Sequence, residues 1–279
     1  MLRSSNPILS KKDAFTPAAP QGYGQQPYQN YPGQGGFGGP QDPWGQQPTS
    51  QAPAGQGRMT LDDVITKTAV TIGVLVVAAA LAWNLVPASL YFPAMILSAL
   101  VGFVVVLIVS FRRVVSPPLV IAYAAIEGVF IGMISKVFES TYEGIVAQAV
   151  VATFVAAGVT LAAYKFFNIR VTAKFAKVVW ISTIAFAGLM LVNFIFALAT
   201  GGGGLRSGIT GPVSGLSILI SAIAIVLAVL NLVLDFDYVE RGVEMGAPAN
   251  ESWRAAFGLT VTMVWLYIEL LRLISYIRR

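Results

Sequence analysis

The sequence predicts an all-α membrane protein, a seven-transmembrane-helix bundle preceded by a disordered N-terminal tail, and three observations carry that prediction. Hydrophobic residues make up 56% of the 279-residue chain and charged residues only 11%, less than half of the roughly 25% usual in soluble domains. The apolar residues come in runs of about 18–25, the length a helix needs to cross roughly 30 Å of hydrocarbon. None of these runs breaks into the alternating segments of about 10 residues that a transmembrane β-barrel requires.

The elements follow in order. Residues 1–57 are rich in Gln, Gly, Pro and Tyr, as in Gly22-Tyr23-Gly24-Gln25-Gln26-Pro27-Tyr28. Such a segment buries too little apolar surface to offset its ordering entropy, so a disordered cytoplasmic tail is expected. It has no continuous apolar core of the signal-peptide kind, and cleavage is not expected. Its tyrosines could serve self-association or partner binding, against the plainer reading of a tether. The transmembrane domain spans 58–279. Thr60 reads as a helix N-cap with Asp62 and Asp63 in the first turn, where acids favour the helix dipole. The apolar runs cover 67–86, 91–111, 118–135, 144–166, 178–200, 214–234 and 254–277. Trp83 closes the first and Tyr91 and Phe92 open the second, an interfacial aromatic belt. Pro87, Ser116-Pro117-Pro118 and Gly201-Gly202-Gly203-Gly204 punctuate the crossings. The glycine run is a loop and not a phosphate cradle, since no Lys-Ser follows it and no strand precedes it.

The net charge of +5 does not point to nucleic acid, because the basic residues alternate by loop. Arg3, Lys11, Lys12, Arg58 and Lys67 lie at the N-terminal side, Arg112 and Arg113 in the second loop, Lys165, Arg170, Lys174 and Lys177 in the fourth, Arg241 and Arg254 in the sixth. The intervening loops carry Lys136 and Arg206. This is the positive-inside signature of a multi-pass protein of the cell (inner or plasma) membrane with a cytoplasmic N-terminus. Seven crossings then place Arg278 and Arg279 outside, against the bias. Either the bias is overridden or the last segment re-enters, and a full crossing is the expectation.

The chain contains no cysteine and no histidine. Disulfides, Cys/His zinc sites and His-ligated haem are thereby excluded, as are Ser-His and Cys nucleophiles. Proton or cation chemistry falls to carboxylates, hydroxyls, amides and backbone carbonyls. No cofactor and no enzymatic activity are expected, and an aspartyl-protease pair lacks its twin-aspartate motif.

Acids inside the apolar runs are the candidates. A carboxylate at mid-membrane costs on the order of 2.5–3.5 kcal/mol on insertion scales, so it usually lines an ion path or pairs with a partner. Glu269 lies in the seventh run beside Arg272 at i+3, a candidate gating partner, which makes a local ion pair the bland account; Arg272 could instead snorkel to the interface and leave Glu269 to find another partner. Asp235 and Asp237 end the sixth run. They point to different faces, one to the bundle and one outward, where Asp237 and Arg241 at i+4 could form a surface pair. Glu127 sits beside a Gly128/Gly132 G-x-x-x-G face in the third run; it reads either as a proton or cation ligand or as a protonated carboxyl bonded across a helix interface, with Tyr123 one turn back.

These residues, with their segment order, resemble the Bax inhibitor-1/YccA family of transmembrane Bax-inhibitor-motif proteins, in its actinobacterial branch. The resemblance rests on Ala122-Tyr123-Ala124-Ala125-Ile126-Glu127-Gly128, Phe236-Asp237-Tyr238 and Leu266-Tyr267-Ile268-Glu269-Leu270, together with Arg3-Ser4-Ser5-Asn6-Pro7 and Arg58-Met59-Thr60-Leu61-Asp62-Asp63-Val64. It implies a bundle with the last helix at its centre and a pH-sensitive calcium leak, in which acids of the sixth and seventh helices share a proton and close the path. By position those acids are Asp237 and Glu269, which would also be the calcium ligands, with Asp235, Glu127 or Arg272 as alternative partners of Glu269. Two carboxylates in low dielectric cannot both ionise cheaply, and the deprotonated pair offers oxygens suited to a hard cation. The competing expectation is a regulatory protein that binds another membrane protein, such as a protease or translocon component, without transport.

Overall fold

The computed structural model describes residues 57–200, 204–206, 209 and 212–279, and the predicted tail lies outside them. The described residues form seven long helices: α1 (Leu61–Leu85), α2 (Tyr91–Phe111), α3 (Pro117–Thr141), α4 (Ile145–Phe166), α5 (Ala173–Thr200), α6 (Gly215–Glu244) and α7 (Glu251–Ile277). All seven are long and apolar enough to cross a membrane. Local chemistry sets several of their ends. Thr60 caps α1, its hydroxyl accepting from the Asp63 amide at 3.2 Å. Pro117 and Pro118 open α3, where a missing N–H costs nothing. The start of α4 is capped from α3: the Glu139 carboxylate accepts the amides of Gly144 and Val146 at 2.6 and 3.0 Å.

The last helix is central, as the resemblance implied. α7 packs against α1, α3, α4 and α6, stacks Trp265 on Phe186 of α5, and shares an apolar cluster with α2 through Phe257, Val105 and Val109. Leu266 and Leu271 are fully buried, while large apolar residues such as Val77, Phe103, Val155 and Ile184 on the outer helices are exposed, as a hydrocarbon solvent allows. α7 runs without a break for 27 residues, about 40 Å at 1.5 Å per residue. It therefore has the length of a full crossing.

Contacts define two ends. At the end where α1 begins, the Met59 amide donates to the Ala247 carbonyl at 2.7 Å, and Arg254 donates to the Arg113 carbonyl at 2.6 Å. At the opposite end the Tyr142 hydroxyl donates to the Ile209 carbonyl at 3.2 Å, Arg278 to the Glu143 carbonyl at 2.9 Å, and Lys136 to the Trp83 carbonyl.

Candidate functional site

A cavity of roughly 910 Å³ lies among α2, α3, α5, α6 and α7. It runs along α7 from Phe257 to Arg272, about 22 Å of helix at 1.5 Å per residue. Its walls carry Glu127, Asn231, Asp235, Thr262, Glu269, Arg206 and Arg272. Three of the four acids singled out in the sequence thus reach one space, each from a different helix.

Asp235 faces the bundle. Thr262 of α7 donates to its Oδ2 at 2.6 Å, and Gly258 one turn away leaves room for it, since a Cβ there would stand 3.3 Å from Oδ1. Glu127 lies against α2 because position 102 is glycine: a Cβ there would come within 2.9 Å of Oε2. Tyr123 turns its ring edge-on to Phe257, centroids 5.0 Å apart. Asn231 joins α6 to α5, donating to the Thr183 hydroxyl at 2.8 Å.

Glu269 is 4% exposed and its partner is not on α6. Arg206, in the connection between α5 and α6, is 7% exposed and donates from Nη1 to Glu269 Oε1 at 2.8 Å. Among the described residues the rest of this pair is unsatisfied: Glu269 Oε2 and Arg206 Nε and Nη2 are buried without a hydrogen-bond partner. The guanidinium lies over Phe186, 5.7 Å from the ring centroid. A short turn presents it. Gly204 adopts φ +63°, a left-handed conformation that favours glycine, and the Leu205 amide donates to Asn193 Oδ1 at 2.6 Å. Arg272 lines the same end of the cavity, with its Nε buried and unpartnered.

Asp237 does not join this group. It pairs on its own helix with Arg241 Nε at 2.8 Å, and Arg241 also donates to the Val171 carbonyl at 2.6 Å. α6 and α7 are joined by a short turn between Glu244 and Glu251, so depth can be counted from it. Asp237 lies about 7 residues up α6 and Glu269 about 18 up α7, a difference of roughly 16 Å. The expected Asp237–Glu269 proton-sharing pair, and a calcium ion held between those two residues, are therefore corrected. The local Glu269–Arg272 pair is replaced as well, by Arg206. Among the described residues no group of three or more acids is clustered tightly enough to hold a metal ion. Sequence reasoning had Arg206 only as a loop charge. The available signal was its isolation, one cation in an acid-free loop on the sparsely charged side.

A central helix packed against its six neighbours, all seven long and apolar enough to cross a membrane, defines a polytopic membrane protein, and the cavity beside that helix carries three carboxylates and a buried ion pair. The family profile described as Bax inhibitor 1 like matches residues 6–279, and the chain belongs to that family. A search among curated proteins returned no match.

Proposed function

We propose that this protein is a pH-sensitive cation leak, with calcium as the substrate ion, whose path is the cavity lined by Glu127, Asp235 and Glu269. The observation that carries this reading is the convergence of three carboxylates from α3, α6 and α7 on one space running along most of a membrane-crossing helix. Structural acids would be expected to be paired off at helix interfaces. Glu127 instead makes no hydrogen bond among the described residues, and Asp235 has one donor, Thr262. Carboxylate oxygens suit a hard cation, and protons compete with that cation for the same oxygens. Flux therefore rises as pH rises. The charged groups facing the path are Glu127 on α3, Asp235 on α6, Glu269 and Arg272 on α7, and Arg206 from the α5–α6 connection.

The test is calcium entry into dye-loaded proteoliposomes between about pH 6 and 8. Wild-type flux should grow with pH, and Asp235→Asn should reduce it on the order of tenfold by removing one of the three carboxylate charges that line the path. Asp237→Asn, outside the cavity, should leave it within about twofold. Absence of flux above empty liposomes would overturn the leak and favour the partner-binding reading. The N-terminus and the strongly basic end are assigned to the cytoplasm of a cell-membrane protein by the positive-inside rule.

A further inference from the structure

We infer that Arg206 is a tethered cation: its guanidinium holds, at Glu269, the place that a divalent substrate cation takes when the path conducts. This rests on the cation-leak reading and adds what closes it.

The first argument is how poorly the pair is made. Arg and carboxylate can meet through two parallel N–H···O bonds, and a buried pair repays its desolvation only when its remaining atoms are also satisfied. Here a single contact of 2.8 Å joins them, and one carboxylate oxygen and two guanidinium nitrogens are buried without partners among the described residues. Such a pair is a poor device for stability and a good one for exchange, because a hard cation offers Glu269 more than Arg206 does.

The second argument is where the two partners sit. Glu269 is fixed within α7, whereas Arg206 stands on a turn outside any helix. Among the described residues the turn is held by the Arg206–Glu269 contact and by a single bond from the Leu205 amide to Asn193 Oδ1, beside the left-handed Gly204. Arg206 can leave for the aqueous side while Glu269 stays in the path. Phe186 then presents to an incoming cation the ring face now under the guanidinium.

The third is charge. Fully ionised, the cavity opposes three carboxylates to two guanidinium groups. Withdrawal of Arg206 leaves two carboxylates uncompensated, the charge one divalent ion neutralises. A monovalent cation of equal ionic strength displaces Arg206 less well.

The chain has no cysteine, so Leu205→Cys gives a single labelling point on an exposed side chain and leaves the pair and the Leu205 amide intact. A spin label there reports by its mobility whether the turn is fastened. In reconstituted full-length protein, millimolar calcium should raise the mobile fraction on the order of fivefold relative to sodium of matched ionic strength. In the Glu269→Gln background the label should be mobile with or without calcium. In the flux assay Arg206→Gln should leak calcium several-fold faster than wild type. A label equally immobile in all conditions overturns the tether even where wild-type flux is present. Calcium-dependent mobility without any flux upholds displacement at Glu269 and overturns the leak.

Discussion

Asp235 shows what one hydroxyl does in this protein. Thr262 supplies its one hydrogen bond to a described side chain, and a buried acceptor that loses its donor is costly. Thr262→Val keeps the shape and removes the donor, so it should cost about 1–3 kcal/mol, read as a lower midpoint of unfolding in mixed micelles; Thr262→Ser should recover most of it. The same assay separates the terms of the Arg206–Glu269 pair. Arg206→Met alone strands a buried acid and should cost about 3 kcal/mol, whereas Arg206→Met with Glu269→Leu should lie closer to wild type. The division of labour between Asp235 and Asp237 was legible, since positions two apart on a helix face different ways and Arg241 stood four residues beyond Asp237. The partner of Glu269 was not. It lies 63 residues away across a loop, and no periodicity links a loop residue to a helix face.

At the scale of the element, small residues decide how closely helices approach. Gly128 and Gly132 of α3 face α1. A Cβ at Gly128 would run into the Leu75 carbonyl and lie 2.6 Å from the Ala78 side chain, and one at Gly132 would meet the backbone of Ala79. Neither neighbour is a flexible side-chain end that can swing away. Gly128→Ala and Gly132→Ala should therefore push α1 from α3 and cost on the order of 1–3 kcal/mol each. Gly158 of α4 is the control, with nothing within 4 Å of its would-be Cβ. Gly158→Ala should be neutral or stabilising by up to about 1 kcal/mol in the same unfolding measurement. The G-x-x-x-G spacing was visible in the sequence, but not which helix it met. Element boundaries followed the same logic. The run 91–111 coincides with α2, because apolar character and helix end together there. The sixth run stops at 234 although α6 continues to Glu244, since its last turns are charged and leave the apolar pattern without leaving the helix.

For the whole molecule, seven crossings and their order were legible because run length alone sets them; the cavity was not, because it arises from how side chains of five helices leave space. Orientation follows from charge at the two ends. Arg112, Arg113, Lys165, Arg170, Lys174, Lys177, Arg241 and Arg254 gather at the end where α1 begins, against Lys136, Arg206, Arg278 and Arg279 at the other. All four of that second group make contacts within the chain, Lys136 to the Trp83 carbonyl, Arg206 to Glu269, Arg278 to the Glu143 carbonyl and Arg279 to the Tyr142 hydroxyl. The orientation proposed from the positive-inside rule would put the end with Arg206 outside, and the tether would then face the compartment from which calcium enters. Ser140→Cys and Arg113→Cys sit exposed at opposite ends in a chain without other thiols. In intact cells a membrane-impermeant maleimide should label Ser140→Cys and spare Arg113→Cys until the membrane is permeabilised. The reverse pattern would mean that Arg278 and Arg279 govern insertion, and would place the Arg206 closure on the cytoplasmic side, where cytosolic cations and not external ones would displace it.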